Sequence, residues 1–330
     1  MSPPRTAVKS TNTLVWALRA ARREFFGYRF DYPVEAVVKA SLPGSLHYYV
    51  SSNHLWLDNL DTDGHGVAMK FYRVHGYQYN PLFVAWWGLV NLRRHLDRPD
   101  NRHLQAFFTQ IQWLKSQAVL RPDGAIVWPC YFAWQEGWCL LRSPWISAMY
   151  QGVVISALIR AYRMTGDREL LALCESGARV FEKTVEDGGV RTVEAGKVLY
   201  EEYPGYPLAR VLDGFLFSLL GLYDLYTETR HLHWLDLFNE GIAGLVANIE
   251  LWDYRNKWSW YGSHGYLCPP HYHKLNYLLL GMLGELAGEK SLTRRAELWD
   301  GRTKGLLDKI EIYLIYLVTQ NAARIRLPRQ

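Results

Sequence analysis

The sequence predicts a mainly α fold, namely an incomplete (α/α) toroid of about four helix pairs, preceded by a short β or extended N-terminal region. The first observation is a repeat in which a leucine follows a polar turn four times, at spacings of 66, 62 and 60 residues: Leu104, Leu170, Leu232 and Leu292. The second is the 3.6-residue apolar period of a helix on both sides of each turn. Helix pairs repeated at this length are typical of stacked α/α arrays.

Residues 1–79 precede the repeat and are predicted to form a separate arm, with residues 80–330 as the toroidal catalytic domain. A basic amphipathic helix is expected over Thr13–Phe26, either packed on the domain or touching a membrane surface. Two segments, Leu46–Val50 and Val67–Val74, carry β-branched and aromatic residues between turn residues, which indicates short strands or extended arms.

The short turns of the repeat must all lie at one end of the array, so the long connections lie at the other. These connections are residues 119–144, 186–207 and 252–270, and they are rich in Trp, Tyr, His and acidic residues. Loops gathered on a rigid scaffold are where binding and catalysis concentrate, and an aromatic cleft with a few polar groups is the usual form of a ligand site. We therefore expect the functional site at this end.

The second long connection contains the most informative stretch, Tyr200–Pro207, in which two glutamates and three tyrosines stand within eight residues. Pro204 and Pro207 favour an extended loop before a nearly all-apolar, and therefore buried, helix predicted over Leu208–Thr229. This placement favours a functional Tyr203. The neighbouring Glu202 fits either a functional role or a helix cap. The acid on the helix itself, Asp213, is expected to anchor a loop through hydrogen bonds.

Composition limits the chemical classes of partner that the chain could bind. Aromatic residues make up 15% of the chain, and they either fill the core or stack on sugar rings. The net charge of +5 favours an anionic partner, and a polyanionic sugar fits this charge as well as nucleic acid does. No basic stripe has the spacing of a nucleic-acid surface, so no nucleic-acid partner is predicted. No apolar run reaches the ~20 residues of a membrane span, and no signal peptide is recognisable, so a cytoplasmic location is expected. No C-x-x-C motif occurs, which favours buried free thiols.

The pattern Y-E-E-Y-P…P…V-L-D-G-F…S-L-L-G-L-Y-D-L over residues 200–225 resembles the D-glucuronyl C5-epimerase family, which makes iduronate in heparan sulfate. The likeness extends upstream through residues 145–152 and 158–162, and downstream to Tyr261 and residues 271–276. The resemblance covers roughly residues 80–310 and implies an isomerase that needs no cofactor or metal. Its substrate would be a heparosan-like anionic glycan.

Carried over residue by residue, the resemblance makes Tyr203, Tyr261 and Tyr272 the three tyrosines of the site and Glu202 their acidic neighbour. Epimerisation at C5 removes the proton α to a carboxylate and replaces it from the other ring face, which needs two acid–base groups and a partner for the substrate carboxylate. A phenol of pKa ~10 must be perturbed to act as a base, so Glu202 as base with a tyrosine as acid stays open. The candidate substrate-binding residues are Arg142, Trp145, Gln151, Glu201, Tyr206, Arg210, His264, His273 and Asn276.

The third connection departs from the family, because Tyr261-Gly262-Ser263-His264 stands where the family has Tyr-Asp-Leu-Arg. His264, Arg142 or Arg210 are the candidates to replace that arginine, although Arg142 fits a structural ion pair equally well. Residues 1–79 are too few for the amino-terminal β-rich domains of the animal enzymes, so a prokaryote-like short form is expected. An open toroid edge also predicts a homodimer.

Several other functions fit the same residues. A polysaccharide lyase shares the C5 proton abstraction, and a glycoside hydrolase could use a pair among Glu136, Glu202 and Asp253. A glycan-binding module without a working base is the non-enzymatic alternative. The cluster His264-x3-Cys268-x2-His271-x-His273 has zinc-ligand residue types, but its spacing is not a standard one and Pro269-Pro270 interrupts it, so no metal is predicted.

Overall fold

The structure, a computed structural model, describes residues 13–26, 37–50 and 60–327. Helices dominate the described residues, and the predicted mainly α class is confirmed. The helices are α1 Thr13–Phe26, α2 Val37–Ser41, α3 Pro81–Asp97, α4 Asn101–Ser116, α5 Ala148–Thr165, α6 Arg168–Ala178, α7 Leu212–Thr229, α8 Leu232–Ala247, α9 Pro270–Ala287, α10 Lys290–Trp299 and α11 Leu306–Arg326.

The strands are short and antiparallel. They are β1 Leu60–Thr62, β2 Ala68–Tyr72, β3 Gly76–Gln78, β4 Val119–Leu120, β5 Ile126–Val127, β6 Trp134–Glu136, β7 Cys139–Leu141, β8 Arg191–Glu194, β9 Lys197–Tyr200, β10 Asp253–Tyr254 and β11 Trp258–Ser259. The first three form a sheet in the order β1-β2-β3, and the others pair as the hairpins β4–β5, β6–β7, β8–β9 and β10–β11. All four hairpins lie within the predicted long connections.

Four helical hairpins, α3–α4, α5–α6, α7–α8 and α9–α10, carry the repeat. Each of the four repeat leucines lies in the first turn of the second helix of its pair. The first helices pack in chain order, because α5 contacts α3 and α7, and α7 contacts α9. An incomplete toroid requires this order of neighbours; the toroid itself stays a prediction.

Helices α5 and α7 form the closest contact of the core, and two glycines permit it. A Cβ added to Gly221 would lie 2.4 Å from the Cα of Gly152. Beside this crossing, the fully buried Arg160 of α5 pairs with Asp224 of α7 at 2.7 Å. Arg160 Nη2 also donates to the His47 carbonyl at 2.8 Å, and Tyr49 Oη donates to Asp224 at 3.1 Å. Residues 45–50 are therefore fixed across both helices, as an extended arm rather than a strand.

The N-terminal sheet packs against the first helix pair. The Ala68 amide donates to Gln110 Oε1 of α4 at 2.9 Å, and β2 contacts α3. Helix α1, at the predicted bounds, packs against the C-terminal helix α11. Parts of the predicted arm, residues 1–12, 27–36 and 51–59, lie outside the described residues. No helix among the described residues is long and apolar enough to cross a membrane.

One predicted boundary was wrong: the buried helix begins at Leu212, four residues after Leu208. The chain before Leu212 is occupied by contacts with the third connection. Arg210 has a positive φ of 53°, and its carbonyl accepts a hydrogen bond from Trp252 Nε1 at 2.7 Å. The Ala209 carbonyl accepts from the Ser263 amide at 2.9 Å. Tertiary contacts therefore displace the first turn of the helix.

Candidate active site

A cavity of about 310 Å³ opens at the end of the array that carries the long connections. The N-terminal turns of the four first helices, α3, α5, α7 and α9, all contribute to its wall, together with β2, β6 and the second and third connections. The lining residues are Lys70, Phe71, Tyr72, Leu82, Phe83, Phe132, Trp134, Glu136, Met149, Tyr150, Glu202, Tyr203, Asp213, Tyr261 and Tyr272.

All four residues carried over as catalytic, Tyr203, Tyr261, Tyr272 and Glu202, line this cavity. The Tyr261 and Tyr272 rings meet edge to face with centroids 5.7 Å apart. Tyr203 is buried, and its ring lies 6.0 Å from that of Trp145. Two distant segments of the chain, the second connection and the stretch from the third connection into the first turn of α9, thus bring three phenols and a carboxyl group to one space.

Two more tyrosines, Tyr72 and Tyr150, line the cavity. Asn80, which caps α3 by accepting a hydrogen bond from the Leu82 amide at 2.9 Å, donates through Nδ2 to Tyr72 Oη at 2.7 Å. The same Nδ2 lies 3.5 Å from Tyr150 Oη. A helix cap therefore positions two phenols of the wall, and neither was among the residues proposed from the sequence.

Three carboxyl groups, of Glu136, Glu202 and Asp213, face the same space. Glu202 lies directly against the first turn of α7, where a Cβ on Gly214 would stand 2.3 Å from Glu202 Oε2. Only glycine leaves room for the carboxyl group there. Glu202 is therefore placed beside the positive end of a helix, where a negative charge is stabilised.

Burial raises the pKa of two of these acids. The pKa of Asp213 rises to about 7, because burial disfavours its charge and Glu136 adds repulsion, while hydrogen bonds from backbone amides oppose the shift. The pKa of Glu202 rises well above its ordinary value through burial first, then through the charges of Asp213 and Glu136. The pKa of Asp213 therefore lies near neutrality, and burial disfavours the charged form of both acids.

The pKa values of the phenols shift in a direction that bears on their chemical role. Burial raises the pKa of Tyr203 well above its usual value, and Glu202 and Tyr150 add to this. Burial also raises the pKa of Tyr261, with Glu136 and Tyr266 next in order. Both phenols are neutral donors at physiological pH, so they suit the acid role better than the base role.

Lys70, at the centre of β2, is the single Lys or Arg among the described residues that line the cavity. Its ammonium lies 4.7 Å from the centre of the Phe83 ring, a cation–π contact that holds the side chain over the start of α3. The positive charge of the cavity therefore comes from the N-terminal sheet rather than from the helical repeat.

His264, which stands at the position of the family's arginine, lies beside the cavity rather than in its wall. Its Nε2 is 3.0 Å from Glu136 Oε1, although neither ring nitrogen makes a well-aligned hydrogen bond within the described part of the chain. The ring packs on Gly137 and lies 5.0 Å from that of Tyr261. His264 therefore lies next to Glu136 and Tyr261 and does not itself line the cavity.

The predicted cationic binders Arg142 and Arg210 do not line the cavity. Arg142 is exposed on the loop after β7. Arg210 pairs with the buried Glu201 and, at 2.8 Å, with Glu194. Burial raises the pKa of Glu201, and Arg210 works against that shift. The pair joins β8–β9 to the start of α7 and is structural.

Tyr206 also lies outside the cavity. It is 57% exposed, and its hydroxyl donates a hydrogen bond to Glu186. The position of Tyr206 therefore does not support the substrate-binding role that was predicted for it.

The remaining predicted binders, Trp145, Gln151, His273 and Asn276, are buried behind the wall and occupied by structural hydrogen bonds. Trp145 Nε1 donates to the Phe132 carbonyl at 2.7 Å, so it fixes a residue that does line the cavity. Gln151 accepts from the Trp128 amide at 2.9 Å and donates to two carbonyls at 3.0 Å. None of these contacts leaves the group directed at a ligand.

His273 and Asn276 both converge on Ser259. His273 Nδ1 lies 3.1 Å from the Ser259 amide, and its Nε2 lies 2.8 Å from the Trp299 carbonyl, so the ring is neutral with the proton on Nε2. Burial lowers its pKa to about 3. Asn276 donates to Ser259 Oγ and to Cys268 Sγ. Cys268 and His273 are thus held by structural contacts, and the described residues contain no group of three suited to a metal.

Sequence reasoning missed Lys70, Tyr72 and Tyr150 and gave Asp213 a purely structural role. Tyr72 and Lys70 lay in a segment predicted to be a separate arm, and nothing in the sequence links that segment to the third connection. Asp213 did carry a signal, since it is a buried acid on an otherwise apolar stretch of helix.

Comparison with known proteins relates the chain to the D-glucuronyl C5-epimerases. A family profile described as the D-glucuronyl C5-epimerase C-terminus matches residues 123–301. A D-glucuronyl C5-epimerase of Caenorhabditis elegans is 28% identical over 250 residues, a match that covers 70% of this chain and 40% of that protein. The chain thus spans less than half the length of this relative.

Among solved structures, a GH76 α-mannanase of Bacteroides thetaiotaomicron aligns with a TM-score of 0.47 and 13% identity. The alignment covers 82% of this chain and 78% of that one.

Proposed function

Because the chain belongs to the D-glucuronyl C5-epimerase C-terminus family, we propose that it is a uronate C5-epimerase, converting D-glucuronyl to L-iduronyl residues in a heparosan-like glycan. The observation that carries the proposal is the single cavity in which Tyr203, Tyr261 and Tyr272 meet Glu202 and Asp213. It supplies several acid–base groups around one sugar-sized space, as a two-face proton exchange requires.

In the first step, a carboxylate takes the proton from C5, and the electron pair left behind moves into the substrate carboxylate as an enediolate. We assign this base to Asp213, because its pKa of about 7 lets it be ionised at neutral pH and still bind a proton. It lies in the first turn of α7 among the lining residues. Asp213 extends the site beyond the residues carried over from the resemblance.

In the second step, a neutral donor returns a proton to C5 from the opposite ring face, and the double bond of the enediolate collapses to the carboxylate. The tyrosines suit this step, since burial keeps Tyr203 and Tyr261 protonated. The phenolate that remains recovers its proton from solvent or from Glu202, which shares a hydrogen bond with Tyr203. Asp213 releases the proton that it took from C5 to solvent, which restores the base for the next turnover.

Negative charge grows on the substrate carboxylate during the first step, so a cation must face it. Lys70 fills this role in our proposal, because it is the one Lys or Arg among the described lining residues and reaches the cavity from β2. The four helix N-termini around the cavity add partial positive charge in the same place. Together they replace the missing family arginine.

The size of the cavity supports a reaction on one sugar unit of a longer chain. Its volume of about 310 Å³ stands at the lower end of ordinary ligand pockets, so neighbouring units would lie outside it. Tyr131 and Trp138, which are 63% and 59% exposed in the first long connection, are suited to stack on those units. The homodimer and the cytoplasmic location stay predictions.

The test is incubation with heparosan, N-sulfated heparosan and other glucuronate polymers in D₂O. Deuterium at C5 with new iduronate, and no unsaturated-uronate absorbance, is the expected result by NMR and ultraviolet spectroscopy. Growth of that absorbance would instead assign the lyase reaction, since the same carbanion then expels the C4 substituent. Binding of a polymer without exchange at C5 would make the chain a glycan-binding module and end the proposal.

A further inference from the structure

The outer face of the C-terminal helix α11 is apolar and exposed. Six aliphatic side chains recur on it at intervals of one, three, four and seven residues, and Leu307 and Ile325 are 82% and 81% exposed. This spacing places them on one side of the helix. They are Leu306, Leu307, Ile310, Leu314, Val318 and Ile325.

The other side of α11 is already used. Ile312 and Tyr316 are buried in a small cluster with Ala21 of α1 and Trp258, and Gln320 and Ala323 continue that side. The exposed row is therefore a second apolar face, extending ~28 Å at the 1.5 Å rise per residue of an α-helix. Aliphatic rows of this extent on a protein surface mark an interaction site.

The charges around this face are of one sign. Lys309 and Arg326 are the exposed charged residues of α11, one near each end of the row. Its acids within the first two turns, Asp308 and Glu311, are only partly exposed and pair with Lys257 at 2.8 and 2.6 Å. The adjacent α1 adds three exposed arginines: Arg19, Arg22 and Arg23.

We propose that the outer face of α11, with the basic edge of α1, docks on the surface of an anionic lipid bilayer. An apolar helical face bordered by cations inserts its aliphatic side chains below the headgroups while the cations contact anionic lipids. A second copy of the chain fits less well, because pairing the two faces in either direction brings basic helix ends together without exposed acids to meet them. Docking of this kind goes beyond the proposed reaction and does not depend on it.

The test is sedimentation of the full chain with vesicles of phosphatidylcholine containing about 30% phosphatidylglycerol, with pure phosphatidylcholine for comparison. We expect binding to the anionic vesicles that weakens at high salt, and at least about tenfold weaker binding to the neutral ones. The double variant Leu307→Gln/Leu314→Gln should weaken binding by about tenfold or more, since two buried leucine side chains are lost from the bilayer.

Two matched variants separate the contributions. Leu232→Gln changes a leucine that is 65% exposed on α8, and its binding should equal that of the unaltered chain. Lys309→Gln/Arg326→Gln should lower binding to anionic vesicles by about tenfold while leaving the thermal melt unchanged. Equal losses in the Leu232→Gln control, or no binding of the unaltered chain to anionic vesicles, would overturn the proposal. Light scattering that shows a dimer broken by Leu307→Gln/Leu314→Gln would assign the face to a second copy instead.

Discussion

Replacing Lys70 by methionine tests the charge arrangement of the cavity. Methionine keeps an unbranched stem that can still pack on Phe83, 4.7 Å from the ammonium, while it removes the charge. Lys70→Arg keeps the charge. Lys197→Met is the matched control, because Lys197 is exposed on the β8–β9 hairpin and does not line the cavity.

The magnitude follows from Coulomb's law. An ammonium and a carboxylate ~4 Å apart interact by about 4 kcal/mol at an effective dielectric constant near 20. Part of this is offset by the desolvation of both groups, and removal of a preorganised partner of a developing charge typically costs 10²–10³ in rate. We therefore expect Lys70→Met to lower kcat/KM by about 10² to 10³, and Lys70→Arg to keep it within about tenfold.

The assay is C5 deuterium incorporation from D₂O, with kcat and KM measured separately. A fall in kcat would show that Lys70 holds charge developed in the transition state, whereas a rise in KM alone would show that it only holds the bound carboxylate. A kcat/KM of Lys70→Met within threefold of the Lys197→Met control, with an unchanged thermal melt, would refute the reasoning.

Three further predictions follow from the same contacts. Tyr203→Phe and Tyr272→Phe should each lower turnover by about 10² or more with little change in glycan affinity, and unchanged turnover in both would remove these phenols from the mechanism. Asp213→Asn should abolish turnover. The same substitution should also change the free energy of unfolding in urea, by up to about 4 kcal/mol more in the stabilising direction at pH 8 than at pH 4. The reason is that an acid whose pKa is raised to about 7 in the folded state makes the folded protein less stable as the pH rises from about 4 to 7. Equal effects of the substitution at both pH values would contradict the raised pKa. Arg160→Met should destabilise the fold by about 3–5 kcal/mol, since it leaves Asp224 buried and unpaired, and a change below about 1 kcal/mol would contradict this.

The parts of the fold that local sequence governs were predictable. The 3.6-residue period and the polar turns located all four helix pairs, and the phase of the repeat assigned the long connections to the end that carries the cavity. The start of the helix after Pro207 was not predictable in this way, because residues 208–211 are held by contacts with Trp252 and Ser263, more than forty residues away in the chain. Period and turn chemistry carry no information about such contacts.

The site shows the same division. Both Glu201 and Glu202 were predicted to be site residues, although adjacent residues of an extended chain point in opposite directions. Glu202 faces the cavity and Glu201 pairs with Arg210. The sequence could not tell which, because the choice depends on where β8 brings Glu194 and Thr192 beside Arg210. Lys70 was not predicted as a site residue for the same reason, since only the packing of the N-terminal sheet on α3 brings it to the cavity.

The proposed anionic substrate would meet an electrostatic difficulty in a cavity with three acidic side chains, and burial of these acids reduces it. If Glu136, Glu202 and Asp213 were all ionised, Lys70 alone would have to offset three charges and the substrate carboxylate. Burial raises the pKa of Glu202 well above its ordinary value and that of Asp213 to about 7, so it disfavours the ionised form of both acids. Repulsion among the acids thus suppresses ionised carboxylates that would otherwise repel the substrate. The same shift brings the pKa of Asp213 to the value that a general base needs. In the proposed reaction, the low dielectric of the cavity therefore serves substrate binding and proton abstraction together.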